Sequence, residues 1–263
     1  MVPPPALARD LAIDAVFVLS VKTFADRIAH VTRELGRFGI PFELIFDFDA
    51  AELDEPTILR HFDGASPMKK QMSLTLKHLQ AWRLACARGA RRIMVFEDDV
   101  VLHPQFHARL AAAMRAADAL PPGWLIFLGG ADAKVPDAFF LHPGPLVPLA
   151  STTAEGYVTD LEACRRRVAW CEANKIRHPA DQLITHIDRA ERVAQYWPPE
   201  PLVEQGSVIG LFDSVLDATR LKHTRLYNVA RHRWTKWRRR TLRRHWVRAR
   251  AVLRPGGPSR DPG

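Results

Sequence analysis

Cysteine is scarce in this chain. Cys86, Cys164 and Cys171 are the only three in 263 residues, and none stands at metal-site spacing. That excludes a zinc quartet and a disulfide framework, and it reads as reduced, mostly structural thiols of a cytosolic protein. No apolar run approaches the ~20 residues needed to cross a bilayer. The first ten residues lack the basic start and apolar stretch of a secretory signal. There is no Gly-x-Gly-x-x-Gly, no Walker phosphate loop and no Gly-x-Ser-x-Gly elbow, so nicotinamide oxidoreductase and serine hydrolase chemistry lose their usual signatures.

Acid is also missing from one end. From Arg220 onward there are 15 Lys/Arg against Asp261 alone, whereas residues 1–219 carry a net −5. The overall +9 therefore describes neither piece. A mildly acidic body argues against nucleic acid as its ligand, and the basic tail is free to meet an anionic surface. The expected organisation is a catalytic-type domain over 1–219 and a basic, Trp-containing tail over 220–263. Between Arg231 and Arg250 the tail interleaves ten Lys/Arg with Trp234, Trp237 and Trp246. Placed on a regular helix, the indoles share one broad side that arginines interrupt, a fair match to an interfacial helix. Peripheral contact with an anionic membrane through 220–250, on the cytoplasmic face, is the expected role.

What the body does contain is an alternation of apolar runs and helical periods. Residues 12–19 read as a buried strand, 26–38 as a helix stopped by Gly39, and 42–46 as a second strand ending at Asp47-Phe48-Asp49. A strong helix over 73–88 stops at Gly89, and 93–96 is a third strand. Residues 104–119 read as a helix and 124–128 as another buried strand. Between 131 and 149 four prolines weaken the pattern, with 138–141 as a short extended piece. A strand within 151–160, helices over 161–174 and 179–187, and a final segment over 202–209 complete the expectation. This is the rhythm of an α/β domain with a mainly parallel sheet flanked by helices, in which ligands bind outside the carboxyl ends of the strands.

The third strand ends in Glu97-Asp98-Asp99. Three carboxylates cannot share a buried edge unless a cation or hydrogen-bond donors compensate them. Hard oxygens suit Mg²⁺ or Mn²⁺ with the remaining positions filled by water or phosphate. If the strand continues, Glu97 and Asp99 face one way as metal ligands and Asp98 the other. The alternative is a solvated loop. Asp47 and Asp49 form a second acid pair at a strand end, for ribose hydroxyls or a turn. Arg27, Lys77 and His78 lie where they can meet a phosphate or simply pack and pair. Asp181, behind a proline turn, is the preferred general base, and Glu155 beside Gly156 is its rival. Gln205 and Ser207 can donate to sugar hydroxyls.

These residues resemble glycosyltransferase family 25, of the lipooligosaccharide-biosynthesis type. The resemblance is carried by Val16-Phe17-Val18-Leu19 with Asp26-Arg27 and Gly39-Ile40-Pro41-Phe42-Glu43, by Leu74 to Trp82, by Ile93 to Val101, and by the later Gly156-Tyr157, Pro179-Ala180-Asp181 and Gln205-Gly206-Ser207. It implies a GT-A fold and inverting transfer of a hexose, galactose first, from a UDP-sugar to a glycan or lipid-linked glycan hydroxyl. It also implies Mn²⁺ or Mg²⁺ at the acid motif. Lys77 departs from the serine that this family places before the histidine, and Gln71-Met72-Ser73 departs as well. A catalytically inactive nucleotide-sugar-binding assembly partner is the alternative function, followed by a tail-driven nucleic-acid-binding protein and a metal-dependent phosphohydrolase.

Overall fold

The computed structural model describes residues 11–63, 67–130, 136–141, 144–150, 153–198, 200–212 and 225–253. Along the chain run β1 (Ala15–Leu19), α1 (Ala25–Arg37), β2 (Glu43–Ile45), α2 (Glu55–His61), α3 (Lys69–Arg88), β3 (Arg92–Glu97), β4 (Val100–Leu102), α4 (Phe106–Ala117) and β5 (Trp124–Phe127). They are followed by α5 (Asp137–Leu141), β6 (Val147–Pro148), β7 (Gly156–Asp160), α6 (Leu161–Ala173), α7 (Ala180–Ala190), β8 (Ala194–Trp197), β9 (Val203–Gln205) and α8 (Gly206–Ile209). The C-terminal segment is α9 (Arg225–Trp237), a π turn (Arg238–Leu242) and α10 (Arg243–Val252).

Seven strands form one sheet in the order β2-β1-β3-β7-β5-β8-β6. β1 pairs parallel with both β2 and β3, and β5 pairs parallel with β8. β7 lies antiparallel between β3 and β5, and β6 runs antiparallel at the edge. Five of the seven therefore point the same way, which makes this the largely parallel GT-A-like sheet expected from the sequence. Alternation along β1 sends Phe17 and Leu19 to one face and Val16 and Val18 to the other, and each pair joins a separate apolar cluster. One face is covered by α3, α6 and α7, with Leu76, Trp82, Cys164 and Ile184 buried. The other is covered by α1 and α4 through Val31, Leu35, Phe106 and Leu110.

The helix stops behave as their glycines require. Gly39 and Gly89 sit at φ +61° and +62°, a left-handed conformation that other residues reach only under strain. Three local expectations change. Residues 138–141 fall within the short helix α5 rather than an extended piece. The α2 helix and the β8 strand carry no strong period and were not expected. The helix expected from Ser73 begins one turn earlier, at Lys69, where the Gln71 side chain accepts from the Met68 amide. The boundary expected at 219/220 and the start of the strand expected from 151 lie outside the described residues.

Candidate functional site

Parallel β1, β2 and β3 place their carboxyl ends side by side, and register sets Leu19 opposite Glu97. The acid triplet, Asp47, Asp49 and the first residue after β1 are thus brought to one edge. β3 stops at Glu97, and Asp98 and Asp99 form a turn instead of continuing the strand. The expected alternation of faces therefore does not hold, because both aspartates swing toward α1. Ser20 Oγ donates to Asp98 Oδ2 at 2.7 Å, and Arg27 donates to Asp98 Oδ1 at 2.9 Å. The same guanidinium nitrogen lies 3.9 Å from Asp99 Oδ2. Phe24 and Phe212 flank the Arg27 guanidinium at 5.6 and 5.3 Å from their ring centres.

The β9–α8 corner closes the other side. β4 pairs antiparallel with β9, opposing Val100 to Gln205. Gln205 Nε2 then donates to Glu97 Oε2 at 3.3 Å, and the Ser207 amide donates to Asp99 Oδ2 at 3.0 Å. Gly206 makes this possible. Its amide donates to the Asp99 carbonyl at 2.6 Å, and a Cβ there would lie 2.6 Å from the same oxygen. Gly206→Ala is expected to push the corner off the acid turn and to cost about 1–3 kcal/mol, the range for overpacking. A shift of the denaturation midpoint measures it, and an unchanged midpoint would contradict this geometry.

Glu155 precedes β7 across the strand end. Its carbonyl accepts from the Glu97 amide at 3.0 Å, and its carboxylate accepts from the Gly130 amide at 2.5 Å. Gly129 lets the carboxylate lie close, since a Cβ there would stand 2.1 Å from Glu155 Oε1. Burial, then the carboxylates of Asp99, Glu155 and Asp98, push the Glu97 carboxyl well above its usual range. Burial raises Asp99 as well, against the opposing pull of Arg27 and the Ser207 donors. Among the described residues, the buried Asp99 Oδ1 has no hydrogen-bond partner. No three His, Cys, Asp or Glu among them form a metal-holding group. Asp99 Oδ1 is thus the buried triplet oxygen left unpartnered among the described residues, because Ser20 and Arg27 occupy Asp98 and Gln205 engages Glu97.

Lys77 does not face a ligand as expected. It is 2% exposed and sits 2.7 Å from Asp49 Oδ1, with the Asp47 carbonyl at 2.8 Å. Asp49 Oδ2 accepts from the Lys22 amide at 3.0 Å. The positive charge expected beside a diphosphate is thus matched inside the fold. Burial lowers the Lys77 pKa even against the attraction of Asp49. Asp47 offers its carbonyl to this knot while the residue stays exposed.

His78 belongs to a buried aromatic network. Trp82 Nε1 donates to the Tyr157 hydroxyl at 2.9 Å, and that hydroxyl lies 3.0 Å from His78 Nδ1. The His78 tautomer sets which of these two groups donates to the other. Burial drives the His78 pKa down to about 3, so the ring is neutral. Asp181 lies in the first turn of α7. Burial raises its pKa, its carboxylate accepts from the Gln182 amide in its own turn at 2.8 Å, and its carbonyl accepts from Thr185. Sequence inspection missed Ser20 and Phe212, and gave Gly129, Gly130 and Gly206 no part in shaping the site. Ser20 and the glycine pair carried a signal, since each directly follows an apolar strand.

A largely parallel α/β sheet with its acids gathered at the carboxyl edge is a GT-A-like architecture. The family described as "Glycosyltransferase family 25 (LPS biosynthesis protein)" matches residues 13–131. Residues 13–131 thus carry a divergent glycosyltransferase family 25 domain. It is 25% identical over 213 residues to the mouse protein "Inactive glycosyltransferase 25 family member 3", covering 74% of this chain and 36% of that protein. The human protein of the same name is 28% identical over 131 residues, 45% of this chain and 22% of its own length. "Lacto-N-neotetraose biosynthesis glycosyltransferase LgtB" of Neisseria meningitidis serogroup B is 32% identical over 89 residues, 32% of each chain. The chain spans little more than a third of the length of the curated relatives it matches. The expectation of an active, metal-assisted hexosyltransferase is corrected here: the relatives that match over most of the chain are named as inactive members of the family. Among the described residues, no helix is long and apolar enough to cross a membrane.

Proposed function

We propose that this chain is a catalytically inactive family 25 module that binds a nucleotide diphosphate sugar and serves as an assembly partner. The observation that carries it is that the protein's own groups engage most of the acid edge, leaving Asp99 Oδ1 as its unpartnered buried oxygen. Arg27, Ser20, Ser207 and Gln205 already engage the triplet, and Lys77 is committed to Asp49. The preferred base, Asp181, hydrogen-bonds within its own turn. The rival, Glu155, is held by the Gly130 amide. The names of the relatives with the longest alignments agree with this reading.

The ligand class is a nucleotide diphosphate sugar, a UDP-sugar first. Where Mn²⁺ or Mg²⁺ accompanies the diphosphate, Asp99 Oδ1 and the Glu97 carboxylate are the groups that would hold it. Such an ion would neutralise phosphate charge against the acid edge. A glycan, or the glycan of a lipid-linked carrier, is the second partner in this reading. Calorimetric titration of the full chain with several UDP-hexoses, with Mn²⁺ and with chelator, tests it. Saturable binding that Asp99→Asn alters is expected. No binding of any nucleotide sugar under either condition would contradict the proposal.

A further inference from the structure

The C-terminal helices have two unlike sides. Residues 225–252 hold eleven Lys/Arg and no Asp or Glu. The inner side is fastened to the body. Lys236 pairs with Glu204 on β9, and His232 Nε2 lies 3.9 Å from the other oxygen of that carboxylate. Arg243 pairs with Asp137, and Arg244 lies 3.7 Å from Glu200. Val247 is buried in the apolar core. The outer side leaves Trp234, Trp237, Leu242 and Trp246 between 43% and 58% exposed. Exposed Arg231, Arg233, Arg238 and Arg250 stand among them. The Trp234 and Trp237 rings lie 5.2 Å apart, and the Arg250 guanidinium sits 5.1 Å above Trp246.

The π turn explains how one side collects the indoles. Trp234 and Trp246 are twelve positions apart. On an uninterrupted α-helix they would point roughly a third of a turn away from each other. The wider π turn between them winds more slowly, and its five residues take back about a quarter of a turn. Trp246 then rejoins Trp234 on the outer side, while His232, Lys236 and Val247 share the inner one. The arginines that interrupt the apolar side of a regular helix become its flanks.

We propose that this outer side is a docking surface for an anionic lipid bilayer, aligned by the π turn. Indoles suit the boundary between headgroups and acyl chains, and flanking arginines suit acidic headgroups. Charge complementarity points the same way, since residues 1–219 carry net negative charge and this segment alone is strongly positive. A nucleic-acid surface would need the arginines but not half-exposed indoles gathered on the same side. The surface goes beyond the nucleotide-sugar reading and does not depend on it.

The test is cosedimentation of the full chain with vesicles of phosphatidylcholine alone and of phosphatidylcholine with phosphatidylglycerol, with tryptophan emission read in parallel. Binding is expected only with the anionic lipid, with a blue shift of emission. The triple variant Trp234→Ala/Trp237→Ala/Trp246→Ala should bind at least tenfold more weakly. Arg231→Glu/Arg238→Glu should lose roughly 30-fold from the two lost basic groups alone. Both variants change exposed side chains, and their circular dichroism and nucleotide-sugar binding should match the unsubstituted protein. Equal binding to both vesicle types would overturn the proposal. So would duplex DNA binding that is tighter than vesicle binding and indifferent to the tryptophan substitutions.

Discussion

Lys77→Met is expected to destabilise the protein by about 3–5 kcal/mol, the cost of stripping one partner from a buried ion pair. Lys77 and Asp49 have side chains 3% and 7% exposed, at 2.7 Å. Methionine fills most of the volume, so the loss reports the charge left on Asp49 and not a cavity. Lys77 also donates to the Asp47 carbonyl, and Asp49 fixes the Lys22 amide. The substitution thus loosens the ends of β1 and β2 together. Asp49→Leu placed on top of Lys77→Met should return most of the stability, because removing both charges from a buried pair is often close to neutral. Urea denaturation of the two variants measures the difference. A single variant as stable as the unsubstituted protein would mean that Lys77 is not the internal counter-ion of this edge.

Arg27→Ala carries the second large effect, about 2–3 kcal/mol at neutral pH, less than for a fully buried pair because its side chain is 15% exposed. It removes the cation that faces Asp98 and Asp99. The sign of its pH dependence follows from the shifts. Burial raises Glu97 and Asp99 above their ordinary values of 4.5 and 3.8. The folded state therefore favours their protonated forms, and their cost is absent below those ordinary values. It grows as pH rises through the raised folded values and is complete above them. Arg27 lowers both groups, so its loss extends the window and deepens the cost. The stability gap between Arg27→Ala and the unsubstituted protein, measured with chelator present, should be larger at pH 7.5 than at pH 5. A gap that widened toward acid would contradict the role given to Arg27.

Both predictions describe one arrangement: arginine and lysine from the chain itself stand where the sequence suggested external charge. Much of the edge was legible beforehand. The apolar runs before Asp47 and Glu97 announced strands ending in acid, and Gly39 and Gly89 announced the helix stops. The partners were not legible, because they depend on which strands lie side by side. Ser20 meets Asp98 across 78 positions and Ser207 meets Asp99 across 108. The turn at Asp98-Asp99 was hidden because the following Val100-Val101-Leu102 reads as a continuation of the same strand. Lys77 and His78 illustrate the limit of helical spacing. Adjacent on α3, one enters a charge knot with Asp49 and the other an aromatic network with Tyr157. The tail illustrates another limit, since a π turn shifts the helical phase without any mark in composition.

The chemistry of the edge turns on whether bound donor is ever cleaved. The direct measurement is release of radiolabelled hexose from a UDP-hexose shown by titration to bind, at saturating donor, with Mn²⁺ and with or without glycan acceptors. The expected result is binding without release above the protein-free blank. Release that scales with protein and is abolished in Asp99→Asn would contradict the assignment of an inactive binding module.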